Sequence, residues 1–107
     1  MSAKVLAGAA ALAMAMVEIA SAFVIDVPAA AIVFAVLFVA GWWWLRRSDS
    51  IWPAALLAVL FVIEVVFVPT YERDSAAEWV VQVAALVVGV IGLAALVAWF
   101  LRRRAEG

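Results

Sequence analysis

The sequence predicts an all-α integral membrane protein: four transmembrane helices in an up-down bundle, a single domain over residues 1–107. Three observations lead there. Of the 107 residues, 72% are hydrophobic and only 14% charged, more apolar surface than a soluble domain of this size can hide. That content is gathered into four runs of about 17–23 residues, enough to cross a hydrocarbon core of about 30 Å at 1.5 Å per residue. None of the runs carries the polar face that a helix of a soluble bundle turns to water.

The first helix is expected at about residues 5–25. Lys4, the alanine-rich run behind it and Ala20-Ser21-Ala22 together resemble a secretory signal peptide. The run is long, however, contains Glu18 and flows on through Phe23, Val24 and Ile25 without a polar cleavage region, so it is read as a retained helix. The second helix, about 29–45, follows "IDVPAA", where Asp26 is placed to cap and Pro28 falls in the first turn, where a missing N–H is harmless. "RRSDSIWP" separates it from the third, about 51–68, which again has a proline, Pro53, near its start and ends near Pro69. The fourth, about 79–101, is announced by Ser75-Ala-Ala-Glu78, the spacing of a capping box.

Orientation follows from the basic residues, because short loops rich in Lys and Arg stay cytoplasmic. Lys4, Arg46-Arg47 and Arg102-Arg103-Arg104 fall at ends that share one side, whereas the other side has only Arg73, in a loop with Glu72 and Asp74. The expectation is a multi-pass protein of the cell membrane with both termini cytoplasmic. Trp42, Trp43, Trp44 and Trp99 adjoin the inner arginines and suit an aromatic belt at the headgroups.

Composition also removes function classes. The net charge of −1 and the lack of a basic stretch interleaved with exposed aromatics give no reason to expect nucleic acid. With neither Cys nor His, thiolate and imidazole metal sites and Ser-His or Cys-His nucleophile pairs are ruled out. No metal or cofactor is expected, and an enzyme is the weakest reading, since two acids with no nucleophile or phosphate loop beside them are a poor basis for catalysis. Tyr71, Glu72, Arg73 and Asp74 read as a solvated loop.

What stands out is two acids inside apolar runs: Glu18 in "MVEIASAF" and Glu64 in "FVIEVVFV". The halves of the chain show a weak parallel, "MVEIASAFVID" against "FVIEVVFVPTYE" and "WWWLRR" against "AWFLRRR". Each glutamate precedes an acid of the outer loops, Asp26 or Glu72, by eight residues, or about 12 Å of helix, so the two should lie at one depth. Gln82, one turn below Glu78, reaches a comparable level. Glu18 shares a helical stripe with Ala7, Ala11, Ala15 and Ala22, and Gln82 shares one with Ala85, Gly89 and Gly92; small-residue stripes let membrane helices approach closely. Glu64 has larger company in Leu57, Leu60, Phe61, Phe67 and Val68.

An ionised acid near the middle of a span costs about 2.5–3.5 kcal/mol on insertion scales, and no Lys, Arg or His lies within any span to offset it. Glu18, Glu64 and Gln82 are therefore expected to form a site that holds a proton or exchanges it for a cation. In size, helix count and a first-helix glutamate the chain is similar to small multidrug-resistance transporters, which implies proton antiport. It departs from them in its second glutamate, in lacking their third-helix signature over residues 51–68, and in its strong arginine bias, and it is not assigned to that family. Two functions compete: a proton-coupled small transporter acting as a homo-oligomer, and a structural or assembly subunit of a larger membrane complex whose acids lock helices by hydrogen bonds. Either way the partners are the lipid bilayer and other membrane chains.

Overall fold

The computed structural model describes residues 2–23, 28–70 and 75–106. Helix α1 covers Ala3–Ser21, α2 Pro28–Arg47, α3 Trp52–Phe67 and α4 Ala76–Glu106, and a 3-10 turn at Val68–Thr70 follows α3. No strand occurs among the described residues. All four helices, α3 taken with its 3-10 turn, are long and apolar enough to cross a membrane.

Helix ends follow local chemistry. The Ser2 hydroxyl caps α1 by accepting from the Val5 N–H at 3.2 Å. The α1 helix closes at Ser21, short of the expected residue 25, where the Ala22 and Phe23 N–H groups turn to the Ile19 and Ala20 carbonyls, both at 3.2 Å, and the Ser21 hydroxyl donates to the Glu18 carbonyl at 2.8 Å. A serine that competes for a backbone acceptor in this way favours a helix end. Pro28 occupies the first position of α2, where its fixed φ suits helix entry. In the turn to α3, the Ser48 hydroxyl accepts from the Ser50 N–H and the Ser50 hydroxyl from the Trp52 N–H, both at 3.1 Å.

Pro69 cannot donate to an α-helical bond, so α3 stops at Phe67 and the chain tightens into the 3-10 turn, with the Thr70 hydroxyl donating to the Phe67 carbonyl at 2.6 Å. The turn restores reach: α3 alone spans about 24 Å, and three residues at about 2 Å each bring it to about 30 Å. Helix α4 is longer at both ends than the expected 79–101; at 31 residues it runs the length of the molecule, whose largest extent is 48 Å. Its first turn is fastened by Ser75, whose hydroxyl accepts from the Glu78 N–H at 3.2 Å and donates to the Glu78 Oε1 at 3.3 Å. Ser75→Ala is expected to cost about 1 kcal/mol at that end, read as a roughly fivefold faster amide exchange over the first turn of α4 with the other helices unchanged. The caps proposed at Asp26, and the loop residues Tyr71, Glu72, Arg73 and Asp74, lie outside the described residues.

The helices form a ring. α1 packs between α2 and α4, and α3 closes the ring between the same two, so α1 and α3 face each other diagonally. One end of the ring is basic: the Lys4 ammonium donates to the Ser48 carbonyl at 3.1 Å and stands 3.9 Å from Asp49, and the Arg103 guanidinium donates to the Asp49 carbonyl. These contacts tie α1 and α4 to the α2–α3 turn. The middle is filled by Met14, Phe38, Leu57 and Phe61, all fully buried, with the two phenylalanine rings 5.2 Å apart and tilted by 47°. Glycine lets α4 approach this plug closely: a Cβ on Gly92 would stand 2.4 Å from the tip of the Phe61 ring, and one on Gly89 2.8 Å from Val65. The outside between the ends is apolar, with Val33, Val36, Val59, Val66, Val83, Val87 and Val90 exposed. Apolar groups outside and polar groups inside reverse the order of a water-soluble bundle.

Candidate functional site

Four buried side chains in the described structure are polar or charged: Glu18, Ser21, Glu64 and Gln82, none more than 7% exposed. All four lie toward the end of the bundle opposite the arginines. Glu18 is three residues before the last residue of α1 and Glu64 three before the last residue of α3, so the acids occupy equivalent positions in the two antiparallel hairpins. Because the helices that carry them are diagonal, the side chains approach across the interior, where the Glu18 and Glu64 carboxyl groups lie close enough to interact.

The neighbourhood explains the placement. Ala7, Ala11 and Ala15 of α1 are buried along the stripe that ends at Glu18, and Ala85, Gly89 and Gly92 are buried on the facing stripe of α4. Gly89 sits against Met14 of α1 and Val65 of α3, which are one turn and one residue from the two acids. Counting back along α4 from the Met14 contact, Ala85 comes level with Glu18, whereas the Val65 contact keeps Glu64 near the level of Gly89, and Gln82 lies further toward the open end. Glu64 is buried despite its bulkier surroundings: Leu57, Leu60, Phe61 and Val68 pack inside with it, whereas Phe67, expected on the same face, is 52% exposed. Below the pair lies the plug of Met14, Phe38, Leu57 and Phe61.

Ser21 is the residue that sequence reasoning did not single out. Its signal was available: it lies three residues after Glu18, on the same helical face. No buried side-chain nitrogen or oxygen among the described residues lacks a partner. The described lysines and arginines, Lys4, Arg46, Arg47, Arg102, Arg103 and Arg104, all belong to the opposite end. Among the described residues no group of three or more His, Cys, Asp or Glu side chains gathers, so the pair is not part of a larger acidic cage.

At the arginine end, Trp42 and Trp99 are half-buried, and Trp43 and Trp44 are exposed. Arg46 lies over the Trp42 ring at 5.6 Å, Arg47 over Trp43 at 4.7 Å and Arg103 over Trp99 at 5.4 Å. All three pairs share an i,i+4 spacing, and in the parallel between the halves Trp99–Arg103 corresponds to Trp43–Arg47. Trp42 also has a packing role, closing over Gly8 of α1.

Comparison with protein-family models, characterised proteins and solved structures gives no match. The molecule is thus defined by its own features: a four-helix chain of membrane-spanning length and hydropathy with a pair of acids facing each other in its interior.

Proposed function

We propose that this chain is a small multi-pass protein of the cell membrane whose Glu18–Glu64 pair, with Gln82 beside it, binds a proton exchangeable for a cation, and that it works as a proton-coupled small transporter. The observation that carries the reading is the meeting of two acids from diagonal helices in an otherwise apolar interior, far from every described basic side chain. Acids inside a span are costly, and where they occur they mark proton relays and ion sites. Replacing the shared proton by a cation leaves the local charge balanced, which is the elementary step of antiport. The collected lysine and arginine residues favour an orientation with the basic end, and both termini, on the cytoplasmic side.

The plug below the pair bears on oligomeric state. Met14, Phe38, Leu57 and Phe61 leave no path along the axis of one bundle, so a substrate would cross between copies, and the working unit is a homo-oligomer. The same plug favours a second reading, in which the chain is a non-catalytic structural subunit of a larger membrane complex and the carboxyl pair is a helix lock worth about 0.6–2 kcal/mol. Catalysis is not proposed.

The test is proton release from purified protein in lipid nanodiscs on addition of candidate monovalent, divalent and organic cations. Wild type is expected to release protons with at least one class, and Glu18→Gln and Glu64→Gln are each expected to release none while keeping their helical content. A folded wild type that releases none, together with loss of a co-purifying chain from the variants, would replace the transporter by the structural subunit.

A further inference from the structure

A groove of about 460 Å³ runs down the outside of the bundle along α2. Ile19 of α1 and Ala35, Val36 and Ala40 of α2 line it, and Trp42 and Trp43 flank the end nearest the arginines. From Ala35 to Trp43 it covers about 12 Å of helix. Every lining residue is apolar, and the small side chains of Ala35 and Ala40 create the depression.

One turn beyond the tryptophans stand Arg46 and Arg47, both exposed, their guanidinium groups held over the Trp42 and Trp43 rings. Among the described residues neither meets a carboxylate. They differ in this from Lys4 and Arg103, whose donors are committed to the carbonyls of Ser48 and Asp49. An apolar channel that leads directly to two uncompensated, aromatic-stacked cations has the polarity of a phospholipid: acyl chain along the groove, phosphate at its mouth.

We infer that this face of α1 and α2 is a binding site for an anionic phospholipid, with Arg46 and Arg47 holding the headgroup and the Ile19–Trp43 groove holding one acyl chain. The inference rests on the membrane location in the proposed function and not on the proton site. A zwitterionic lipid fits the groove equally well but brings an ammonium to the arginines, so the preference resides in the charge. The guanidinium is the better cation here than an ammonium because it bonds phosphate oxygens in pairs while lying flat on an indole.

The experiment is native mass spectrometry of the protein in a neutral detergent with equal amounts of phosphatidylglycerol and phosphatidylcholine of identical chains. Wild type is expected to retain phosphatidylglycerol over phosphatidylcholine by a factor on the order of ten. Arg46→Gln/Arg47→Gln should bring the ratio to near one, and Ala40→Leu, which fills the groove, should lower retention of both lipids with the arginines intact. Arg102→Gln/Arg104→Gln, on α4, should leave the ratio as in wild type. Circular dichroism and elution volume show whether each variant is folded. The proposal is overturned by equal retention in wild type, by a preference that follows Arg102 and Arg104 instead, by displacement with inorganic phosphate alone, or by a dimer whose formation excludes lipid from Ala40. Because no readout involves proton release, failure of the transporter reading leaves the result interpretable.

Discussion

Phe61→Ala and Gly92→Ala are expected each to destabilise the bundle alone and to compensate each other when combined. The Phe61 ring is fully buried, stacked near Phe38 and pressed into the hollow left by Gly92. Truncating it opens a cavity. In a bilayer the transfer part of that cost shrinks, since lipid is as apolar as the core, but the lost contacts between protein atoms remain. The expected cost is about 3 kcal/mol, at the low end of values for water-soluble cores. Gly92→Ala does the reverse, placing a methyl group 2.4 Å from the ring tip, and should cost about 1–3 kcal/mol by overpacking. In the Phe61→Ala background the same methyl group enters empty space, and its cost should fall to within about 0.5 kcal/mol of zero or change sign. Reversible unfolding in mixed micelles measures all three variants. Simple additivity would mean that Gly92 is not shaped around Phe61.

A second cycle concerns the acids. Glu18→Leu and Glu64→Leu each strand the remaining carboxyl in an apolar interior, and each should cost about 1–3 kcal/mol. The double variant removes both acids together and should return to within about 1 kcal/mol of wild type, because an apolar pair of similar size leaves nothing unsatisfied. Such a protein would be stable and unable to exchange protons. That combination separates a functional pair, dispensable for folding, from a structural lock, whose loss the double variant should not recover. Harmless single variants with a fully additive double would instead place the two carboxyl groups out of contact.

Much of this was legible in the chain, for identifiable reasons. Four long apolar runs punctuated by Pro28, Pro53 and Pro69 admit few alternatives to four helices, and Ser75-Ala-Ala-Glu78 marked the cap of α4, although the helix was expected from about 79 and begins at Ala76. The stripe through Ala11, Ala15 and Glu18 pointed inward because period and residue size agreed. Three features were not legible. The early end of α1 depends on the Ser21 hydroxyl choosing the Glu18 carbonyl over solvent, a competition that hydropathy does not register. Phe67 turned outward because it falls at the edge of the α3 stripe, whereas Val68, four residues after Glu64, stays on its inward face. The depth and company of Glu64 depended on which helices are diagonal, a property of the closed ring and not of any single segment.

The diagonal placement of the two acids on α1 and α3 bears on the order of assembly in the proposed membrane setting. A chain threaded into a bilayer in order delivers α1 and α2 before the segment that holds Glu64 has emerged. During that interval the first hairpin holds a solitary acid, with neither its later partner nor the cover of α4. In the membrane setting proposed above, a nascent molecule is complete in polarity only when its third segment has arrived.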